Sequence, residues 1–235
     1  MRLGIFGLAV GMLMTSACLQ GANVKNSPVA EPTSVSAAEL DKNFADDAKF
    51  YAPMAARMEG ALMARPPADV SAATQDATVV VAARIGDIKA QRVIGDIQTL
   101  AISLTDVDVL SGELEPSLGQ QVNVELALGD PADVGKNVNS FRAVLPKGYG
   151  IWFLRWQGDK KPVTKKGASP SEDPADSSLY ALVHRQSMFT QGRNGAVNPI
   201  AEHDHDGGSL PGLQADGERF SKLSEIADKV RASKK

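Results

Sequence analysis

The central part of the chain alternates short apolar runs with turn residues, a pattern typical of β-strands. The first run contains three consecutive valines, Val79 to Val81, and predicts a largely buried strand. A later run, 151–156, is apolar on both faces, so we expect it at the centre of a sheet. The predicted strands are 77–88, 92–110, 122–128, 151–156, 179–184 and a shorter one at 196–200.

The second predicted strand carries a change of phase. Every second residue is apolar up to Leu104, whereas Val107 and Val109 fall on the opposite face. A slip of one residue within an otherwise regular strand is typical of a β-bulge, which lets a strand bend. We therefore predict a bulge near Thr105 or Asp106.

Helical patterns flank these strands. Residues 39–70 are rich in helix-forming side chains and predict a short helical segment. Near the end of the chain, 218–233 predicts an amphipathic helix, and a helix this short is marginal alone in water, so we expect it to pack on the sheet. Its apolar face comprises Phe220, Leu223, Ala227 and Val230.

Two polar stretches interrupt the strand pattern. Residues 130–139 predict a solvated loop. Residues 158–178 are charged and rich in proline, serine and glycine, so they predict a mobile insertion. With this insertion and the terminal helix, the folded domain is expected to span 76–235.

The strands follow one another without βαβ alternation, which predicts a mainly β fold, a small antiparallel five-stranded barrel. Over 76–85, 107–114 and 145–155 the chain resembles the OB-fold and tissue-inhibitor-like (netrin-like) barrels of secreted and lipid-anchored bacterial proteins. The resemblance implies an OB-like barrel. It does not imply metalloprotease inhibition, because those inhibitors bind the metal through a disulfide-bonded N-terminal cysteine and Cys18 has no partner cysteine.

The first residues predict a signal peptide over 1–17. The apolar run 3–14 is too short for a membrane-spanning helix but fits the apolar part of a secretory signal. Ser16 and Ala17 precede Cys18, as in a bacterial lipoprotein signal, in which the cysteine after the cut receives the lipid. An ordinary signal peptidase would cut at the same place and leave a secreted protein.

Lipid attachment at Cys18 predicts an extracytoplasmic protein anchored to the cell membrane. Diacylation supplies two chains, which is enough for stable attachment. Residues 18–38 are small, polar and contain proline, so they predict a flexible tether between the anchor and the fold.

Composition removes several classes of function. The 235 residues include 25 basic and 28 acidic side chains, a net charge of −3, which argues against a strongly basic nucleic-acid binder. A single cysteine excludes an intramolecular disulfide. The expected partners are therefore the membrane, through the lipid, and an unknown extracytoplasmic protein or ligand, with no nucleic acid.

One cluster could bind a metal ion. His203 and His205 alternate with Asp204 and Asp206, and in an extended segment residues two apart point the same way, so both imidazoles could reach one ion. The alternative is a solvated acidic loop next to a glycine pair. The third histidine, His184, lies at a strand end without triad spacing and is expected at the surface.

The two tryptophans allow two interpretations. Trp152 and Trp156 share one strand face with Leu154, and exposed they could form a stacking platform for a sugar or a nucleic acid. Buried, they would fill the core. Since only 5% of the residues are aromatic, few other large side chains exist to fill a barrel, and the core interpretation is favoured.

These observations favour a binding or protein-interaction module of the cell envelope. No catalytic motif is present, so an enzyme is not expected, and no cofactor is predicted. One alternative is a metal-dependent hydrolase using 203–206. Another is a structural envelope component.

Overall fold

The computed structural model describes residues 34–58, 65–94, 97–129, 134–158, 173–200 and 210–233. Within these ranges the protein is mainly β, as predicted, and helices flank the sheet. None of the described helices is long and apolar enough to cross a membrane. The strands are β1 Val79–Ile94, β2 Ile97–Gly112, β3 Val122–Gly129, β4 Gly150–Trp156, β5 Tyr180–Leu182, β6 Met188–Gln191 and β7 Ala196–Val197. The α-helices are α1 Ala37–Leu40, α2 Ala48–Met58, α3 Val70–Asp76, α4 Val134–Arg142, α5 Leu213–Gly217 and α6 Leu223–Ala232.

The strands form one sheet in the order β1-β2-β3-β5-β4-β6-β7, and β4 also pairs with β1. Two details of the predicted five-stranded antiparallel arrangement are corrected. The sheet has seven described strands, and β3 pairs with β5 in parallel, with Val124 opposite Tyr180. A parallel pair needs a crossover connection, which here contains α4 and β4.

The predicted bulge is confirmed in β2. Along the β1–β2 ladder, Ala82 lies opposite Asp108, but Arg84 lies opposite Thr105, so β2 contains the extra residue. Asp106 has a φ of 51°, a left-handed conformation that aspartate tolerates better than most residues. Its carboxylate accepts a hydrogen bond from Arg84 at 3.3 Å.

Helix α4 occupies the stretch predicted as a polar loop, so that prediction is wrong from residue 134 onward. Val138 and Phe141 are buried, and their spacing of three places them on one helical face. The ring of Phe141 packs edge-on against Phe50 of α2 at 5.4 Å. Helix α4 also packs against β1. Arg142 of α4 forms an ion pair of 2.8 Å with Asp87, which lies past the part of β1 that pairs with β4. The helix therefore adds Val138 and Phe141 to the core beside β1.

The core has two parts because β1 and β4 are buried on both faces. Trp152 and Leu154 point into a cluster that collects one face of the first five strands together with α2 and α4. Their neighbours Ile151 and Phe153 point into a second cluster, shared with α1, α3, α5 and α6. This confirms the central position predicted for β4.

The two ends of the described chain pack together. The predicted C-terminal helix is α6, and Leu223, Ala227 and Val230 of its apolar face are fully buried. Asp41, which follows α1, accepts hydrogen bonds at 2.9 Å from the backbone N–H and the hydroxyl of Ser224 in the first turn of α6.

The last residues of the predicted tether also dock on the fold. The Ser34 hydroxyl and the Val35 N–H donate to the Asp108 carboxylate at 3.2 and 3.1 Å, and α1 begins at Ala37. Asp108 also binds Arg231 of α6 at 3.3 Å. Residues 34–38 are therefore part of the folded unit.

Candidate functional site: the tip of the first hairpin

The β1–β2 hairpin ends in three exposed aliphatic side chains. Val93, Ile94 and Ile97 are 52%, 53% and 48% exposed, more than any other large apolar residue that the structure describes. Ile94 lies opposite Ile97 at the end of the ladder, so the three side chains lie at one tip. Clustered exposed apolar side chains mark contact surfaces more often than single ones do. We call these three residues the hairpin tip.

The residue next to the tip, Arg92, is the centre of an ionic cluster. Its guanidinium binds Glu125 of β3 through two hydrogen bonds of 2.8 and 2.7 Å. It also pairs with Asp173 at 2.8 Å and Asp176 at 2.7 Å. A paired, planar guanidinium–carboxylate contact fixes both position and orientation. We call these four residues the Arg92 cluster.

The Arg92 cluster corrects the prediction of mobility at the end of the 158–178 insertion. Residues Pro174–Ser178 form a 3₁₀ helix whose Asp176 is buried. Asp173 caps this helix by accepting from the Ala175 N–H at 2.9 Å. Residues 159–172 lie outside the described part of the chain.

The backbone at the end of the hairpin is fixed as well. The hydroxyl of Thr99 donates to the Arg92 carbonyl at 3.0 Å and lies 2.7 Å from a Glu125 oxygen. The Gln98 side chain donates to the same carbonyl at 3.1 Å. Four polar residues from β1, β2 and β3 therefore hold the strand ends directly behind the tip.

Hydrogen bonds within the Arg92 cluster favour the charged forms of Arg92, Glu125 and Asp173. Burial raises the pKa of the Glu125 carboxyl, but the hydrogen bonds that it accepts, above all from Arg92, outweigh burial and hold that pKa below its usual value. The hydrogen bond from Glu125 raises the pKa of Arg92 further above its already high value. The backbone N–H of Ala175 and the charge of Arg92 lower the pKa of Asp173. Arg92, Glu125 and Asp173 are thus held in their charged forms.

The sequence interpretation missed the tip because it placed the hairpin turn too early. Residues 92–94 were assigned to the second strand, whereas they end β1. The signal that could have found the tip is the pair Gly95-Asp96 between two aliphatic residues, a spacing typical of a two-residue hairpin turn.

The predicted site residues have different outcomes. Cys18, His203 and His205 lie outside the described residues, so the lipid site and the metal site stay predictions. Among the described residues, no group of three potential ligands is placed to hold a metal ion. Trp152 is fully buried and its indole N–H donates to the Ala83 carbonyl at 3.4 Å, so it is a core residue and not a stacking platform. Trp156 is half-buried and its indole N–H donates to a backbone carbonyl at 3.1 Å.

His184 was expected at the surface, and this is wrong. The side chain is 7% exposed, and its Nδ1 accepts the backbone N–H of Gln186 at 3.2 Å. The backbone N–H of His184 donates to the Ser187 hydroxyl at 3.0 Å, which closes the turn between β5 and β6. The histidine is buried because its ring nitrogen satisfies a backbone donor inside this turn.

Comparison of the chain with protein-family models, with curated proteins and with solved structures found no match. The hairpin tip combines exposed apolar surface with a fixed backbone.

Proposed function

We propose that this protein is a lipid-anchored, extracytoplasmic binding module with an OB-like barrel, and that the hairpin tip inserts into an apolar pocket of a partner protein. The observation that carries the proposal is the exposure of Val93, Ile94 and Ile97 on strand ends fixed by the Arg92 cluster. The tip has no nucleophile or titratable group in its described side chains, so its chemistry is contact and not catalysis.

The barrel part of the proposal is supported by the strand pairings. β1, β2, β3, β5 and β4 pair in that order, and β4 pairs again with β1 over Val79–Ala83. A sheet that returns to its first strand leaves few open edges, as closed β folds do. The β-bulge at Asp106 gives β2 the bend that such closure requires.

Rigidity supports the use of the tip as an anchor. Binding immobilises side chains and loops, and a surface that is already ordered loses less entropy when it binds. A few side chains near the centre of an interface, in well-packed and desolvated pockets, contribute most of the binding energy. The surface area of three side chains is smaller than the roughly 800 Å² that each partner buries in a stable interface. Flanking residues of the hairpin must therefore form the rim of the contact.

A partner protein fits the tip better than the bilayer does. The first described residues contact the fold at Asp108 of β2. Asp108 is eleven residues along β2 from Ile97, which separates the two residues by roughly 35 Å at about 3.3 Å per residue. The sequence predicts that residues 18–33 belong to a flexible tether, and a flexible chain of this length has a relaxed length of only about 20–25 Å. A lipid anchor at Cys18 therefore favours membrane contact at the end of the fold near Asp108. The hairpin tip then lies away from the membrane and is available to a partner protein.

A photoreactive residue at the tip tests this proposal. With benzoylphenylalanine at position 94 in the intact envelope, we expect one discrete protein adduct, and Ile97→Ser should reduce its yield at least tenfold. Because Ile97 is half exposed, this substitution should change the free energy of unfolding by less than about 0.5 kcal/mol. The readout is gel mobility and mass spectrometry of the adduct.

The matched control is the same photoreactive residue at position 144, since Val144 is a single exposed valine with 40% exposure. Position 144 should give no discrete adduct. Adducts to lipid alone at position 94 would assign the tip to the bilayer, and equal labelling from both positions would remove the proposed role of the tip.

Anchoring is tested at Cys18. The Cys18→Ala variant should leave the membrane fraction or accumulate uncleaved, because the acceptor of the lipid is gone. Fractionation followed by mass spectrometry of the mature N-terminus measures both results. Wild-type protein recovered wholly from the soluble secreted fraction would contradict lipid attachment.

A further inference from the structure

A small cavity of about 280 Å³ lies between the start of α2 and the β6–β7 turn, away from the hairpin tip. Its volume is at the lower end of the range for small-molecule sites. Aromatic and apolar residues form much of its wall, and polar groups complete it. The residues used below are Lys42, Phe44, Asp47, Tyr51, Tyr149, Arg193 and Val197.

The wall of this cavity is held in place by specific contacts. Asp47 accepts the backbone N–H groups of Lys147 and Gly148 at 3.0 and 2.8 Å, which joins α2 to the chain before β4. At Gly148 a Cβ would lie 2.9 Å from the Asp47 carboxylate, so a larger residue there would displace that carboxylate. The opposite wall is the turn after β6, where Gly192 donates to the Gly195 carbonyl at 2.8 Å.

Two buried tyrosines line the cavity with unused hydroxyls. Tyr51 is 3% exposed and Tyr149 is 7% exposed. Among the described residues, neither phenol hydroxyl has a hydrogen-bond partner, whereas the Tyr180 hydroxyl accepts the Glu115 N–H at 2.8 Å. Neither hydroxyl is among the fully buried side-chain atoms that lack a hydrogen-bond partner, so a ligand that accepts from one replaces a hydrogen bond to water. Burial, together with the nearby Asp47 carboxylate, raises the pKa of Tyr51, which keeps its proton available for donation.

Two basic residues and one acidic residue line the cavity. Lys42 forms an ion pair with Glu39, and the Asp47 carboxylate is satisfied by its two backbone donors. Arg193 is exposed at the cavity and has no ion pair within the described ranges. Its guanidinium is therefore the group available for an anion.

We propose that this cavity binds a small carboxylate with an apolar or aromatic body. Arg193 pairs with the carboxylate, the Tyr51 hydroxyl donates a hydrogen bond, and Phe44, Tyr149 and Val197 contact the apolar part. This site is independent of the hairpin tip, so either proposal can fail without the other.

Phenylacetate is the probe for the wild-type protein. We expect saturable binding by titration calorimetry, with NMR shifts concentrated at the amides of Gly148 and Gly192. Phenylacetamide, which lacks the charge, should bind at least tenfold more weakly, and acetate, which lacks the ring, should not saturate below about 10 mM. A peptide ending in phenylalanine presents the same carboxylate, and tighter binding of Gly-Gly-Phe than of phenylacetate would assign the natural source to a chain terminus.

Two variants and one control test the assignment. Arg193→Gln should weaken phenylacetate binding at least tenfold, and Tyr51→Phe should weaken it about twofold to tenfold, the range of one hydrogen bond. Arg155→Gln removes an exposed arginine that does not line the cavity and should leave the affinity unchanged. Far-UV circular dichroism verifies that each variant folds. Absence of saturable binding to the folded wild type, or equal affinity of wild type and Arg193→Gln, would overturn the proposal.

Discussion

Replacing Arg92 by alanine is expected to lower the free energy of unfolding by about 3–5 kcal/mol, the range for removing one partner from a buried ion pair. The Arg92 side chain is 16% exposed, and Glu125 and Asp176 are 7% and 12% exposed. Without the guanidinium, their carboxylates face one another with little water to screen them. Urea unfolding at neutral pH, followed by circular dichroism, measures the difference.

Arg142→Ala is the control for this substitution. Arg142 also binds an aspartate through its guanidinium, but Arg142 and Asp87 are 44% and 51% exposed. An exposed pair contributes only about 0–1 kcal/mol, so this variant should remain close to wild type. Equal destabilisation by both substitutions would mean that the Arg92 cluster contributes no more than a surface pair.

At acid pH the difference in free energy of unfolding between wild type and Arg92→Ala should become smaller. The folded-state pKa of Glu125 lies below its unfolded value, so the stability that it contributes is present above the unfolded pKa and is lost as the pH falls through the folded one. The same sign holds for Asp173. A gap that stayed constant on acidification below about pH 4 would show that Arg92 acts through packing and not through charge.

Leu223→Ala is expected to destabilise the protein by about 2–5 kcal/mol. Leu223 begins α6 and is fully buried among residues from α1, α3 and the sheet, so its removal leaves a cavity. Thermal and urea unfolding of the purified domain measure the change.

Lys229→Ala is the matched substitution on the exposed face of α6. It should change the free energy of unfolding by less than about 0.5 kcal/mol. If Leu223→Ala were equally mild, α6 would not be part of the cooperative fold, despite the burial of Ile226 and Val230.

Local periodicity was sufficient to predict several features of the fold. The phase change at Val107 located the bulge at Asp106, because a strand with period two cannot change faces without an extra residue. The apolar faces of β4 predicted its burial on both sides, and the spacing in α6 predicted its docking. Each of these patterns depends on neighbouring residues in the chain.

Features that depend on distant residues were not predicted. Arg92 is 33 residues from Glu125, and nothing in the local pattern joins it to that carboxylate. Apart from Gly135, helix α4 is polar except at Val134, Val138 and Phe141. Val138 and Phe141 are buried only because Phe50 and β1 are there to cover them. The unused hydroxyls of Tyr51 and Tyr149 likewise depend on the packing of separate segments.

The contact between Asp41 and Ser224 determines when the fold can be completed. These residues are 183 positions apart, so the contact of Asp41 with the first turn of α6 cannot form until the whole span between them has been synthesised. Contacts of such long separation slow folding, because the intervening chain must be ordered first. A nascent chain that lacks α6 leaves Leu40 and Val80 without their apolar cover. Such a fragment therefore stays accessible to chaperones and proteases until α6 has been synthesised and covers these residues.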